Sequence, residues 1–409
     1  MNTAPSLFAL DDAQLRSVLG AQDGGGIPCF VYDLGVARRR FETLRAAMPS
    51  RVALAYAVKS NPGGPLLRTL AEAGARFDCA SAGEVARVRA AGPDSPILMA
   101  GPAKSQTDLR AAVYAGARVQ VDGIEDVARL HAMHPSRAAG DLRVSVRVNP
   151  AAPGQERAAI IGGGGPSAFG VDEEALPDFL EAARDYPGVR IDGLQVFSAS
   201  NELDAEALLR NHAIALAIGR RMHEDHGVQL QLVDLGGGLG IPYRAGEDEL
   251  DLPALGLGLS RLLADHPWFG GELLLEPGRW LSGPCGVYAA RVIRTKVSRG
   301  VSFALLEGGI NHLLRPLLTG QSFPVRTIRL DSGPPPVSEE VEFTLAGPLC
   351  TSLDRVGTAD LPADTRPGDI VVFGQAGAYA YTQAMTHFLS HPAPAEHWLP
   401  AGDREVALT

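Results

Sequence analysis

The sequence predicts an α/β fold, a TIM-type (β/α)8 barrel with a second, mainly β C-terminal domain. Three observations carry that expectation. From about residue 30 to 285, short apolar runs alternate with helical stretches rich in Ala, Arg and Glu. Roughly eight such units in about 250 residues suit a closed barrel better than an open sheet. After about residue 286 the rhythm changes to strand-like segments joined by Pro- and Gly-rich turns.

Each element follows in order. ALAYAVK (53–59) reads as a strand and PLLRTLAEAGA (65–75) as the helix after it. ARFDCAS (75–81) is again strand-like, and GEVARVRAAG (83–92) helical. The beat continues through SPILMAG, ARVQVDG, DLRVSVRVNP, VRIDGLQVFS, LQLVDLGG and ELLLEPGRW, with helical stretches between them. Runs that are apolar nearly throughout fit parallel strands buried on both faces. GVYAARVIRTKVSRGVSFALLEGG, PVRTIRL, EVEFTLAGP and GDIVVFGQAGAY supply the strands of the β domain. The expected division is a barrel over 30–285, with 1–29 and 286–409 forming the β domain.

Composition narrows the function. The chain has 409 residues and a net charge of −10, which argues against nucleic acid as a partner. Its four cysteines, Cys29, Cys79, Cys285 and Cys350, form no CxxC pair, so neither a metal site nor a disulfide framework is expected. The N-terminal segment lacks the pattern of a signal peptide, and no apolar run approaches the ~20 residues that span a bilayer. A cytoplasmic protein without a membrane partner is expected.

In such a barrel, function sits on the loops at the C-terminal ends of the strands. Lys59 closes the first barrel strand. A desolvated lysine is a competent amine nucleophile, although a strand-end lysine can also simply reach for solvent. LVDLGGGLG (232–240) is a strand followed by a glycine-rich turn, suited either to a phosphate ester or to tight packing. LLLEPGRWL (273–281) places Glu276 at a strand end with Arg279 three residues on. That carboxylate can keep a pyridine nitrogen protonated and that arginine can pair with a phosphate, or the two can form an ordinary loop ion pair. GPLCTSLD (347–354) sets Cys350 and Asp354 in a loop after a β-domain strand. A tuned thiol can deliver a proton to carbon, though a buried cysteine is more often a small apolar filler. Tyr379, in a second glycine turn, offers a hydroxyl to a phosphate or packs in the core.

Taken together, AYAVKSNP, FDCASAGE, GLQVFSASN, VDLGGGLG, EPGR, GPLCTSLD and GAY stand in the order and spacing of one family. The chain resembles the fold-type III decarboxylases that use pyridoxal 5′-phosphate (PLP), the diaminopimelate and ornithine decarboxylases, with their alanine-racemase-like pairing of barrel and β domain. The resemblance runs from about PCFVYDL (28–34) to MTHFLSHPAPAE (385–396). It implies that Lys59 carries PLP as a Schiff base. Gly236, Gly237 and Gly238, with Ser200, Arg279 and Tyr379, would hold the phosphate, and Glu276 would pair with the ring nitrogen. Asp78 and Arg147 would lie around the lysine and ring. Cys350 would return a proton to the substrate carbon after carbon dioxide leaves. Its loop would enter the active site of a partner subunit, which implies a homodimer with shared active sites.

Departures from the family pattern bear on the substrate. Phe197 stands where a histidine usually stacks on the cofactor ring, and an aromatic face can still stack. Thr351 follows the cysteine where diamino-acid decarboxylases carry Glu or Asp, which pairs with the distal ammonium. Thr319, in RPLLTG with Arg315, takes the place of a common tyrosine, and SAFG (167–170), preceded by GGGGP, differs from the usual basic loop. Arg315, Thr351 and Asp354 are the expected substrate contacts. A buried ammonium without its charged partner loses several kcal/mol of binding. The expected substrate is therefore an amino acid, of L or D configuration, whose distal end is uncharged: acylated, or bound to a carrier protein. Free diaminopimelate, ornithine or lysine is the alternative. Amino-acid racemization is disfavoured by the EPGR glutamate, because racemases of this kind place an arginine at the ring nitrogen. A non-catalytic PLP-binding protein is disfavoured by the β domain and cysteine loop.

Overall fold

The computed structural model describes residues 7–20, 26–134, 140–151, 165–197, 200–330 and 336–401. Part of the GGGGP stretch (162–164), and Ser198 and Ala199 of the GLQVFSASN motif, lie outside the described residues. The chain divides into two compact units. One comprises Arg39–Ile241 and Glu249–Trp280, the other Met1–Arg38, Pro242–Asp248 and Leu281–Thr409.

Helix α1 (Asp12–Gly20) and strand β1 (Cys29–Asp33) belong to the second unit. The first unit is the barrel. Its strands are β2 (Val52–Ala57), β3 (Arg76–Cys79), β4 (Ile97–Met99), β5 (Arg118–Val121), β6 (Leu142–Asn149), β8 (Val189–Val196), β9 (Leu232–Asp234) and β10 (Glu272–Leu275). Each pairs in parallel with the next, and β10 pairs with β2, which closes the ring. A two-residue strand, β7 (Val171–Asp172), lies beside β6 outside that ring. The expected (β/α)8 barrel is therefore the observed one.

Side chains alternate across each strand, so register assigns them to two faces. Leu194 faces helix Ala205–His226, since its side chain lies beside the Gly219 position. That outer face is apolar: Tyr56, Phe77, Met99, Val121, Val146, Val233 and Leu275 are fully buried there. The inner face is layered. Ala53, Ala55, Leu98, Leu232 and Leu274 form an apolar plug. Two residues beyond Leu232 and Leu274 stand Asp234 and Glu276, and Asp78, Gln120, Arg147 and Gln195 join them from β3, β5, β6 and β8, all less than a tenth exposed. A buried polar layer is expensive unless its groups are partnered, and here it sits where barrel chemistry is done.

Helix starts on this face are locally encoded. Ser81 caps Ala82–Ala91 by accepting the Glu84 N–H, and Ser105 with Asp108 forms a reciprocal capping box on Gln106–Tyr114.

In the second unit, one sheet runs in the order β13 (Val325–Ile328), β16 (Ile370–Phe373), β11 (Gly286–Ser298), β12 (Val301–Leu306), β14 (Glu340–Ala346), β15 (Arg355–Pro362). Strand β1 pairs with β11 and with β17 (Ala395–Leu399). Leu10, Leu15 and Leu19 of the N-terminal segment pack on Cys29, Val31, Val287, Ala289, Ile370 and Val372.

Candidate active site

The expected strand 53–59 ends early. Strand β2 stops at Ala57, and Val58–Ser60 make a single 3-10 turn that presents Lys59. A buried polar knot forces the turn: the Tyr56 hydroxyl donates to the Asn61 carbonyl at 3.0 Å, and Ser60 Oγ lies 2.9 Å from both Tyr56 Oη and the Ala57 carbonyl. Of the two alternatives open for a strand-end lysine, Lys59 takes the solvent-reaching one, and its side chain keeps 36% of its exposure. Its Nζ stands 3.6 Å from Asp78 Oδ2, at the end of the neighbouring strand β3.

Asp78 is the opposite case. It is 2% exposed, and its Oδ1 has no hydrogen-bond partner. Burial first, then the nearby Glu276 carboxyl, push its acid up to about 8, while Lys59 and Arg147 pull the other way. A carboxyl poised near neutrality beside a half-exposed amine can exchange charge with it. Arg147, on β6, lies with its guanidinium 4.3 Å from the Phe169 ring centroid, within the SAFG segment.

The glycine turn after β9 is shaped by close approach. Gly236 and Gly238 have φ of +70° and +100°. A Cβ at Gly237 would sit 2.7 Å from the Glu276 carbonyl, and one at Gly236 would sit 2.8 Å from the Phe197 ring. Phe197, just past β8, therefore covers the turn. The following loop is strapped to it: the Glu202 N–H donates to the Gly238 carbonyl at 2.8 Å, and the Ile241 N–H donates to Asn201 Oδ1 at 3.1 Å. That fixes half-buried Ser200 at the start of this loop. Glu276, past β10, is tied back by its N–H to the Gly236 carbonyl at 2.8 Å. Arg279, buried, opens the short helix Arg279–Ser282.

Three residues that the sequence reading did not single out complete the layer: Gln120, Gln195 and Asp234. Gln120 Nε2 donates to Asp234 Oδ2 at 2.7 Å and lies 3.2 Å from Glu276 Oε1. The detectable signal was a polar side chain at the centre of an otherwise apolar strand, ARVQVDG. Asp234 stood inside the quoted glycine motif. These pieces fit PLP: a glycine cradle that any Cβ would obstruct, a buried carboxylate for a ring nitrogen, and an accessible amine.

The remaining candidates lie in the β unit. Tyr379 has a left-handed backbone (φ +53°), rare for a non-glycine residue, and buried Arg315 stacks 5.2 Å from its ring centroid. Thr319 donates its hydroxyl to the Arg315 carbonyl at 2.9 Å. In the loop 347–354, Asp354 is 3% exposed and accepts the Ile310 and Leu349 N–H groups at 2.8 and 2.6 Å. Thr351 is half-buried on the same loop, and Cys350 is exposed. Cys29, Cys79 and Cys285 are buried, with burial pushing the Cys29 thiol up to about 12. Cys350 is thus the accessible thiol. Among the described residues no group of ligating side chains could hold a metal ion, and no helix is long and apolar enough to cross a membrane.

A barrel with this polar floor, lysine turn and glycine cradle is that of a PLP enzyme, and the comparisons give its reaction class. The family described as "Pyridoxal-dependent decarboxylase, pyridoxal binding domain" matches residues 34–283, and the chain belongs to it. It is an amino-acid decarboxylase with PLP as cofactor. An L-glutamyl-[BtrI acyl-carrier protein] decarboxylase from Niallia circulans is 29% identical over 90% of this chain and 88% of its own length. A diaminopimelate decarboxylase from Deinococcus radiodurans is 34% identical over 96% and 93%. The fold is that of diaminopimelate decarboxylase from Helicobacter pylori complexed with L-lysine, at TM-score 0.83 and 24% identity over 94% of each chain.

Proposed function

We propose that this enzyme decarboxylates an amino acid whose distal end carries no positive charge, either acylated or bound to a carrier protein. The observation that carries the reading is the loop 347–354. Its only acid is Asp354, buried with both oxygens committed to backbone N–H groups. Thr351 beside Cys350 is neutral, so the loop has no carboxylate left for an ammonium. The decarboxylase of Niallia circulans, named for a glutamyl group on an acyl-carrier protein, supports the same reading.

When bound, PLP supplies the electron sink that makes loss of the α-carboxylate feasible. The protein's share is orientation and charge. Lys59 would carry PLP, with Asp78 and Arg147 beside it. Gly236, Gly237 and Gly238, with Ser200, Arg279 and Tyr379, would hold its phosphate. Glu276 would pair with its ring nitrogen, and Phe197 would lie against its ring. Cys350 returns a proton to the α-carbon, on a loop supplied by a second copy in a homodimer, with Arg315 and Thr351 near the substrate's far end.

Decarboxylation of free diaminopimelate is the second reading, favoured by the 34% identity to the Deinococcus radiodurans enzyme. Thr351→Glu separates the two. The exchange should lower kcat/KM on a distally acylated amino acid about tenfold and raise it on a free diamino acid. Wild-type enzyme that prefers the free diamino acid contradicts the proposal.

A further inference from the structure

The phosphate turn and the ring-facing carboxylate are held by one side chain that touches neither ligand group. Asp234 is fully buried at the end of β9. Its Oδ1 accepts the Gly236 N–H at 2.9 Å, and its Oδ2 accepts Gln120 Nε2 at 2.7 Å. The same amide lies 3.2 Å from Glu276 Oε1, and the Glu276 N–H closes the circuit on the Gly236 carbonyl at 2.8 Å. One amide nitrogen thus gathers both buried carboxyl groups, with Asp234 Oδ2 at 2.7 Å and Glu276 Oε1 at 3.2 Å from Gln120 Nε2. Two carboxyl groups held together in so dry a place repel strongly unless one holds a proton.

We propose that Asp234 is the proton-holding partner of Glu276, and that with Gln120 it is a positioning residue locking the glycine turn and the Glu276 carboxylate into one unit. The ring-nitrogen end and the phosphate end of the cofactor are then gripped in fixed register. Glu276 keeps its negative charge for the ring nitrogen because the proton resides on its neighbour. Burial and the Glu276 charge both push the Asp234 acid well above the carboxylate range, in agreement with that assignment. Gln120 Oε1 has no hydrogen-bond partner, so its amide can turn over to receive a donor in place of an acceptor. The inference rests on PLP being the cofactor. A wild-type protein that develops no visible absorption band with PLP would remove that basis, whereas the variants below test the role of Asp234 itself.

The decisive variant is Asp234→Asn, which mimics a protonated aspartic acid. It keeps an oxygen for the Gly236 N–H and a donor for Glu276, and Gln120 turns over to match. Asp234→Ala removes both. Full-length protein is titrated with PLP and with phosphate-free pyridoxal, and the visible band is followed from pH 6 to 9. Asp234→Asn should bind PLP within threefold of wild type and keep its pH profile. Asp234→Ala should bind PLP at least tenfold more weakly, with the midpoint of its band displaced, because the charge on Glu276 is no longer fixed. A folded Asp234→Asn that loses PLP binding tenfold or shifts the band overturns the proposal, because it shows that a second charge is needed. Wild-type binding and profile in Asp234→Ala overturn it as well. If Asp234→Ala does not fold, Asp234→Asn decides alone, with Gln120→Leu expected to weaken PLP binding severalfold.

Discussion

Asp78→Asn should make the cofactor-free protein more stable and the active site worse. In the folded state burial and Glu276 raise the Asp78 acid to about 8, against 3.8 for an unburied group. The folded state therefore holds a proton that the unfolded chain releases above pH 4, and stability falls as pH rises from about 4 to 8. Each tenfold difference in proton affinity is worth about 1.4 kcal/mol, so this one carboxyl penalises folding at pH 7 by up to about 4 kcal/mol. Relaxation around a neutral amide and the lost attraction to half-exposed Lys59 reduce the expected gain to roughly 2 kcal/mol. For a unit of this size that corresponds to a rise of roughly 4–8 °C in the melting temperature. The assay is thermal unfolding of cofactor-free wild type and Asp78→Asn at pH 5, 6, 7 and 8. The difference should be small at pH 5 and grow with pH, while PLP attaches to the variant more slowly because the amine has lost its partner. A variant that is equally stable or less stable at pH 8, with the same pH slope as wild type, refutes the assignment of Asp78 as a strained carboxyl kept for function.

Two further perturbations probe the scaffold. Gly237→Ala places a Cβ 2.7 Å from the Glu276 carbonyl and should weaken PLP binding about tenfold by parting turn and carboxylate, whereas Gly270→Ala, with open space around it, should change nothing in the same titration of the visible band with PLP. His212, 2% exposed on helix Ala205–His226, is held neutral, with burial pulling it from 6.5 down to about 4. The unfolded chain takes up that proton first, so stability present above pH 6.5 is lost as pH falls towards 4, by up to ~3 kcal/mol. His212→Asn should flatten that loss in urea unfolding at pH 7 and 4.5, and parallel losses in both proteins contradict it.

The barrel was legible because a (βα) repeat writes itself locally: each strand is a short apolar run, and several helix starts carry their own cap, as at Ser81, Ser105, Asp204 and Asp251. The motif residues were legible where they stand at strand ends. What escaped depends on contacts between distant segments. The Lys59 turn is set by hydroxyl packing among Tyr56, Ser60 and Asn61, which a propensity for strand does not register. Gln120 and Asp234 meet across a gap of 114 residues, so only their polarity within apolar strands hinted at them. Asp354 reads in sequence as an acid near a cysteine, and only the fold reveals that Ile310 and Leu349 already occupy its oxygens.

The substrate assignment meets its most direct test in carbon dioxide release, followed by mass spectrometry, from three substrate sets given to PLP-loaded enzyme. These are free diamino acids, distally acylated glutamate and ornithine derivatives, and aminoacyl groups on carrier proteins. Turnover confined to acylated or carrier-bound substrates is the predicted result, with Thr351 marking the absent ammonium. Faster turnover of free diaminopimelate or ornithine would contradict it and leave the enzyme a decarboxylase of charged diamino acids.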